Sequence, residues 1–215
     1  MKLNQPYDLI IIGGGVVGLT GAYFTSRKGR NVLLLEAESG IKHASVRNFG
    51  SLVPSGQQMG FFRELGERSM HWYRQFSPCP SFTRTVITKE EAQRQNNGIH
   101  VLFKHHGNGE ITIGDSHQYY PIDSIREGVF FVDTKINEIM LSYANKVVNI
   151  ESNEITKLWL GWYLDHADGM LTTTCRDGFH CVTALAGKGM TIDPALIEKV
   201  IEQIFFCNRL TIDLH

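Results

Sequence analysis

The segment Gly13-Gly14-Gly15-Val16-Val17-Gly18 has the spacing GxGxxG, and its glycines suit a phosphate-bearing ligand. Gly13 permits a tight turn. Gly15 lets a pyrophosphate approach the backbone with no side chain in the way. Gly18 lets a following helix pack closely on a sheet. The N–H groups around Val16 and Val17 would open that helix and offer the phosphates its partial positive charge. Glu36, followed by Ala37, stands eighteen residues after Gly18. A carboxylate there accepts both ribose hydroxyls of an adenosine and repels a 2′-phosphate, which disfavours an NADP-type ligand. The motif does not by itself separate FAD from NAD, nor either from a glycine turn that binds nothing.

The elements around these residues must be a strand, a helix and a second strand. Tyr7 to Gly13 is a short apolar run ending in glycines and reads as a buried parallel strand. Val16 to Lys28 reads as a helix with Val16, Leu19, Ala22 and Tyr23 on one face, closed by Gly29. Asn31 to Glu36 is a second buried strand, so the unit has βαβ order. Ser39 to Gly60 is polar and glycine-rich and reads as loop. Phe61 to Phe76 is an amphipathic helix carrying Phe62, Leu65, Met70 and Tyr73 in register. Thr88-Lys-Glu-Glu91 has the form of a capping box and starts a short helix that fades into a polar stretch ending at Gly98.

Farther on, His100 to Phe103 and Glu110 to Ile113 form a hairpin across the turn His106-Gly-Asn-Gly109. Val132 to Val148 is a helix with Ile136, Ile139, Met140 and Tyr143 on one face. Ile155 to Leu164 and Phe179 to Ala186 read as strands, and a helix runs from about Pro194 to Phe205.

Other chemistry is less well supported. Asp115-Ser116-His117 contains hydrolase residue types, but adjacent strand residues point to opposite faces and no GxSxG elbow is present. His105 and His106 sit at a hairpin tip and lack a third and fourth metal ligand, so no metal is expected. Trp159, Trp162 and Tyr163 default to core packing, with a pocket wall as the functional option. Cys79, Cys175, Cys181 and Cys207 form no CxxC pair and read as reduced thiols.

Composition sets the class. The 215 residues are 42% hydrophobic and 20% charged, enough to bury a core. A net charge of -1 does not suggest a nucleic-acid surface. The longest early apolar run is too short to span a bilayer and lacks the flanks of a secretory signal, so a cytoplasmic protein is expected.

Ala44-Ser-Val-Arg-Asn-Phe-Gly50 and Val53-Pro-Ser-Gly-Gln57 resemble the family of FAD-dependent oxidoreductases related to glycine oxidase and D-amino-acid oxidase. More narrowly they look like a subgroup found with aminophosphonate-degradation genes. Ile113-Gly-Asp-Ser-His-Gln-Tyr119 is similar to a strand-end motif of that subgroup. Leu158 to Tyr163, Asp168-Gly169 and Phe179 to Thr191 resemble the family's C-terminal return.

The resemblance implies FAD as cofactor, with Ala44, Ser45, Arg47 and Asn48 near the flavin. Arg47 could equally bind a substrate anion or pair on the surface. It also implies a strand that re-enters the FAD domain, and a Gly187-to-Thr191 turn that opens a helix toward the flavin. N–H groups at Gly189, Met190 and Thr191 would there stabilise negative charge on the reduced ring. Tyr119 and Trp162 are candidates for the pocket wall, and no catalytic acid or base is singled out.

The resemblance implies an α/β fold, a Rossmann-like FAD-binding domain with a reduced α+β substrate domain. Its parts are residues 1–86 and 165–215 for FAD and 87–164 for substrate. Family members carry more substrate-domain sheet, and a further strand pair in the FAD domain, before the Gly-Asp-Ser-His strand. This chain passes from Glu90–Arg94 to Ile99 by a short polar bridge. The implied activity is hydride transfer from a small amine or amino acid, aminophosphonates included, to flavin. A non-catalytic dinucleotide-binding remnant and an NAD-binding module are the alternatives. Sheet edges left by a shortened middle favour cover by another chain, a homo-oligomer being the simplest.

Overall fold

The computed structural model describes residues 6–37, 44–76, 98–122, 132–150, 155–176 and 178–206. The chain divides into two compact units, Met1–Pro80 with Gly161–His215, and Ser81–Leu160. The helix expected from Thr88 lies outside the described residues, as do Cys79 and Cys207. Cys181 is a free thiol.

The first unit opens with β1 (Leu9–Ile12), α1 (Val16–Arg27) and β2 (Val32–Leu35). β1 and β2 pair in parallel with Leu9 opposite Val32 and Ile12 opposite Leu35, as the βαβ pattern requires. Gly29, at φ +70°, turns the chain out of α1 toward β2. These strands were expected to be buried on both faces. Instead Ile10 and Ile12 are 56% and 81% exposed, because one side of the pair carries no covering helix among the described residues.

The loop expected from Ser39 contains α2 (Ala44–Arg47), a single helical turn, and a 3-10 turn at Pro54–Gly56. The Asn48 amide donates to the Ser45 carbonyl and accepts from Gly50 N–H, so side-chain hydrogen bonds organise a stretch without apolar periodicity. α3 (Phe61–Phe76) has the expected bounds.

Leu171–Arg176 forms β5, which pairs antiparallel with β6 (Phe179–Thr183). β6, expected to re-enter the FAD domain, lies in the same unit as β1 and β2, and its ladder partner is β5. Ile155 to Leu164 was expected to be a strand with core aromatics. It has no regular structure, and Trp159, Trp162 and Tyr163 are 40%, 41% and 39% exposed.

The final helix, α5, spans Gly189–Phe206. It begins five residues before the expected start at Pro194, which lies inside it. It is the centre of the core: Ile192, Ala195, Leu196, Val200 and Ile201 pack with Phe24 of α1 and Leu65 of α3. Trp72 stands edge-on to Phe24 at 4.8 Å and donates its indole N–H to Glu198, which also pairs with Arg68.

The second unit holds the expected hairpin, with longer strands: β3 (Ile99–His105) and β4 (Ile111–Ser116). α4 (Thr134–Ala144) is shorter than its periodicity suggested. Asp133 caps it, accepting from the N–H groups of Lys135 and Ile136. Ile136 and Ala144 of α4 pack with Ile99, Val101 and Phe103 of β3. No helix among the described residues is long and apolar enough to cross a membrane.

Candidate dinucleotide site

The glycine turn is built as its spacing implies. Gly13 has φ +107°, a conformation that side chains disfavour. A Cβ on Gly18 would sit 1.8 Å from the Gly13 carbonyl oxygen, so only glycine lets α1 start this close to the end of β1. A Cβ on Gly15 would stand 3.1 Å from Ser45 Oγ, so glycine here leaves room for the Ser45 side chain at the helix entrance.

The residues expected to meet a dinucleotide gather around this turn. Gly14 N–H donates to the Glu36 carboxylate, and Val16 N–H donates to Ser45 Oγ at 2.9 Å. Gly15, the N-cap residue, has no side chain to do this work, so Ser45 of α2 supplies the cap. Val17, Ala37, Arg47 and Asn48 lie on the same three segments. The Arg47 carbonyl lies against Gly161, where a Cβ would approach it to 3.0 Å, which brings the chain leading into Trp162 beside α2.

The first turn of α5 belongs to the same unit. Val53 N–H donates to Thr191 Oγ1 at 3.2 Å, tying the loop after α2 to the residues Gly189, Met190 and Thr191 that open α5. Gly187 sits in the preceding 3-10 turn, Ala186–Lys188. α1 and α5 run in the same direction: Thr20 meets Asp193, Gly21 faces Ile197, and Lys28 reaches Glu202. Both helix N-termini therefore open at one end of the unit, and their partial positive charges act together there.

One titratable group between these helices is nearly sealed from solvent. Asp193 accepts from the Thr20 hydroxyl at 2.7 Å through Oδ2, while its buried Oδ1 has no partner among the described residues. Burial pushes its carboxyl up to about 7, only partly opposed by the Thr20 hydrogen bond.

The two pocket-wall candidates belong to different units, and both are exposed, Tyr119 at 69% and Trp162 at 41%. A cavity of about 310 Å³ beside α4 is lined by Glu138, Leu141, Ser142, Asn145, Ile150 and Ile155, none of them expected to hold the dinucleotide.

Sequence reasoning missed a cluster in the hairpin. Asp115 and His117, two apart, come together with His100 from the facing strand. Burial alone would raise the Asp115 carboxyl, but the His117 hydrogen bond and the nearby His117 and His100 charges hold it below the usual carboxylate range. The available signal was the i, i+2 spacing of Asp115 and His117, which strand geometry places on one face.

Residues 8–85 match the family described as FAD dependent oxidoreductase. The match begins at β1 and takes in the glycine turn, Glu36, α2 and α3. No solved structure matches the chain.

Proposed function

We propose that the first unit holds FAD along the glycine turn and the first turn of α5, and that the protein is a flavin-dependent oxidoreductase acting on a small amine or amino acid. The observation that carries this reading is the shared end of α1 and α5. Two helix N-termini open beside a glycine turn, a ribose-type acid and a polar loop, within a unit whose first part matches that family.

The residues present fit the cofactor. The Gly13–Gly18 turn would take the pyrophosphate on the N–H groups of Gly15, Val16 and Val17, since side chains are absent where the backbone must be approached. Glu36, now accepting from Gly14, would exchange that partner for ribose hydroxyls. Ser45 would turn from Val16 N–H toward a phosphate oxygen, and Arg47 and Asn48 would continue along the ligand. Gly189, Met190 and Thr191 would present N–H groups to its electron-rich end. When bound, FAD supplies a two-electron acceptor for a C–H bond next to nitrogen. The finer substrate assignment, an aminophosphonate, rests on the resemblance of Ala44 to Gly50, Val53 to Gln57 and Ile113 to Tyr119.

A second reading, a dinucleotide-binding protein without turnover, draws on the exposure of Trp162 and Tyr163, at 41% and 39%. Anaerobic mixing of the FAD-loaded protein with a panel of small amines, amino acids and aminophosphonates separates the two. Substrate-dependent loss of the visible flavin absorbance supports the oxidoreductase. A bound flavin that no member of the panel bleaches supports the second reading.

A further inference from the structure

The β3–β4 hairpin carries a group of side chains that the flavin chemistry does not use. His100 Nδ1 lies 3.5 Å from Asp115 Oδ1, and His117 Nε2 lies 3.2 Å from Asp115 Oδ2. The ligand atoms of all three residues lie within 4.8 Å of one another. The two imidazole rings stand edge to face with centroids 5.1 Å apart.

We propose that His100, Asp115 and His117 form a three-ligand site for a divalent cation of the zinc class, with a further coordination position open to solvent. Zinc bound tetrahedrally by nitrogen and oxygen at about 2.0–2.2 Å holds neighbouring donor atoms about 3.3 Å apart. The two histidine–aspartate separations already bracket that value. Two imidazoles and a carboxylate suit zinc and its neighbours in the transition series, and are a poor set for magnesium or calcium, which take oxygen.

The backbone holds the donors in place. The β3–β4 register shifts between Ile99 and Leu102, so His100 and Val101 together face Asp115. Such a bulge re-aims a side chain, and here Val101 enters the core while His100 stays exposed. His117 is fixed by its own N–H, which donates to the Gly98 carbonyl at 3.0 Å. Gly98 has φ +57°, and a Cβ on it would lie 2.4 Å from the His117 carbonyl oxygen, so the approach requires glycine. The His100 side chain is 60% exposed and provides the entry path.

The test is a calorimetric titration of the metal-stripped, untagged full-length protein with Zn²⁺, paired with a Co²⁺ titration read in the visible range. The expected result is one saturable site per chain, with Co²⁺ bands of tetrahedral type. His100→Ala and Asp115→Asn should each weaken Zn²⁺ binding about tenfold or more, while His105→Ala, elsewhere on β3, leaves it unchanged. His100 is exposed, so its variant keeps the fold, and far-UV circular dichroism verifies this. Zn²⁺ should also raise the thermal midpoint of the unaltered protein and not that of His100→Ala. Absence of saturable binding, or binding that survives both substitutions, would overturn the proposal. Neither readout involves flavin, so the result stands apart from the proposed oxidoreductase activity.

Discussion

The Tyr73 hydroxyl donates to the Met190 carbonyl at 2.6 Å, the acceptor that Pro194 leaves without its helical donor. In a regular helix the N–H of residue 194 would bond to the carbonyl of residue 190, and proline has no N–H. α3 thus completes the hydrogen bonding of α5 from outside. One turn of α3 earlier, Ser69 Oγ accepts from Ala195 N–H at 3.1 Å. These contacts let α5 start at Gly189 and carry a proline in its interior.

Tyr73→Phe should destabilise the protein by about 0.5–1.5 kcal/mol, the cost of losing a hydrogen bond to a part-buried carbonyl. In a Pro194→Ala background the restored N–H satisfies Met190, and the Tyr73→Phe penalty should shrink. Denaturant unfolding of the four proteins measures this coupling. Equal penalties in both backgrounds would show that Tyr73 does not substitute for the missing donor.

Asp193 should make stability fall as pH rises. Its folded-state carboxyl titrates at about 7, against an ordinary value of 3.8. The folded protein therefore holds more protons than the unfolded chain between these values. The stabilisation is complete below the lower value and is lost as pH rises through the higher one. Asp193→Asn should remove this slope and leave the variant more stable than the unaltered protein above pH 7, by about 1–4 kcal/mol. Thermal midpoints across the range, compared between the two proteins, test the sign.

Gly18→Ala places a Cβ 1.8 Å from a backbone oxygen, so α1 must move away from β1. A loss of about 2–4 kcal/mol is expected in denaturant unfolding, with weaker FAD retention. Gly107→Ala, which meets nothing within 4 Å, is the control that should change neither.

Glu36→Ala removes the acceptor for ribose hydroxyls and should weaken FAD binding about tenfold. Fluorescence titration measures it. Unchanged affinity would move the adenosine end of the ligand away from β2.

Local pattern made much of the first unit legible. The glycine spacing, the apolar runs of β1 and β2 and the periodicity of α3 each depend on near neighbours in sequence. Pro194 misled for a local reason: proline commonly sits in the first helical turn, and nothing near it reveals that Tyr73 and Ser69 compensate from another helix. Ile155 to Leu164 has strand-like composition but no pairing, which depends on distant chain. The exposure of Ile10 and Ile12 was equally hidden, since an apolar run does not say what covers it. At the site, the glycines and Glu36 were legible as a motif. The bond from Val16 to Ser45, the pairing of Thr20 with Asp193 and the meeting of His100 with Asp115 and His117 arise only in three dimensions.

The glycine turn and the start of α5 are proposed to hold FAD together. Titrating the purified full-length protein with FAD, and reading flavin fluorescence and visible absorbance, tests it most directly. Saturable uptake at one FAD per chain, with shifted flavin bands, is expected, and so is loss of that uptake in Gly18→Ala. A folded protein that leaves FAD free in solution would contradict it.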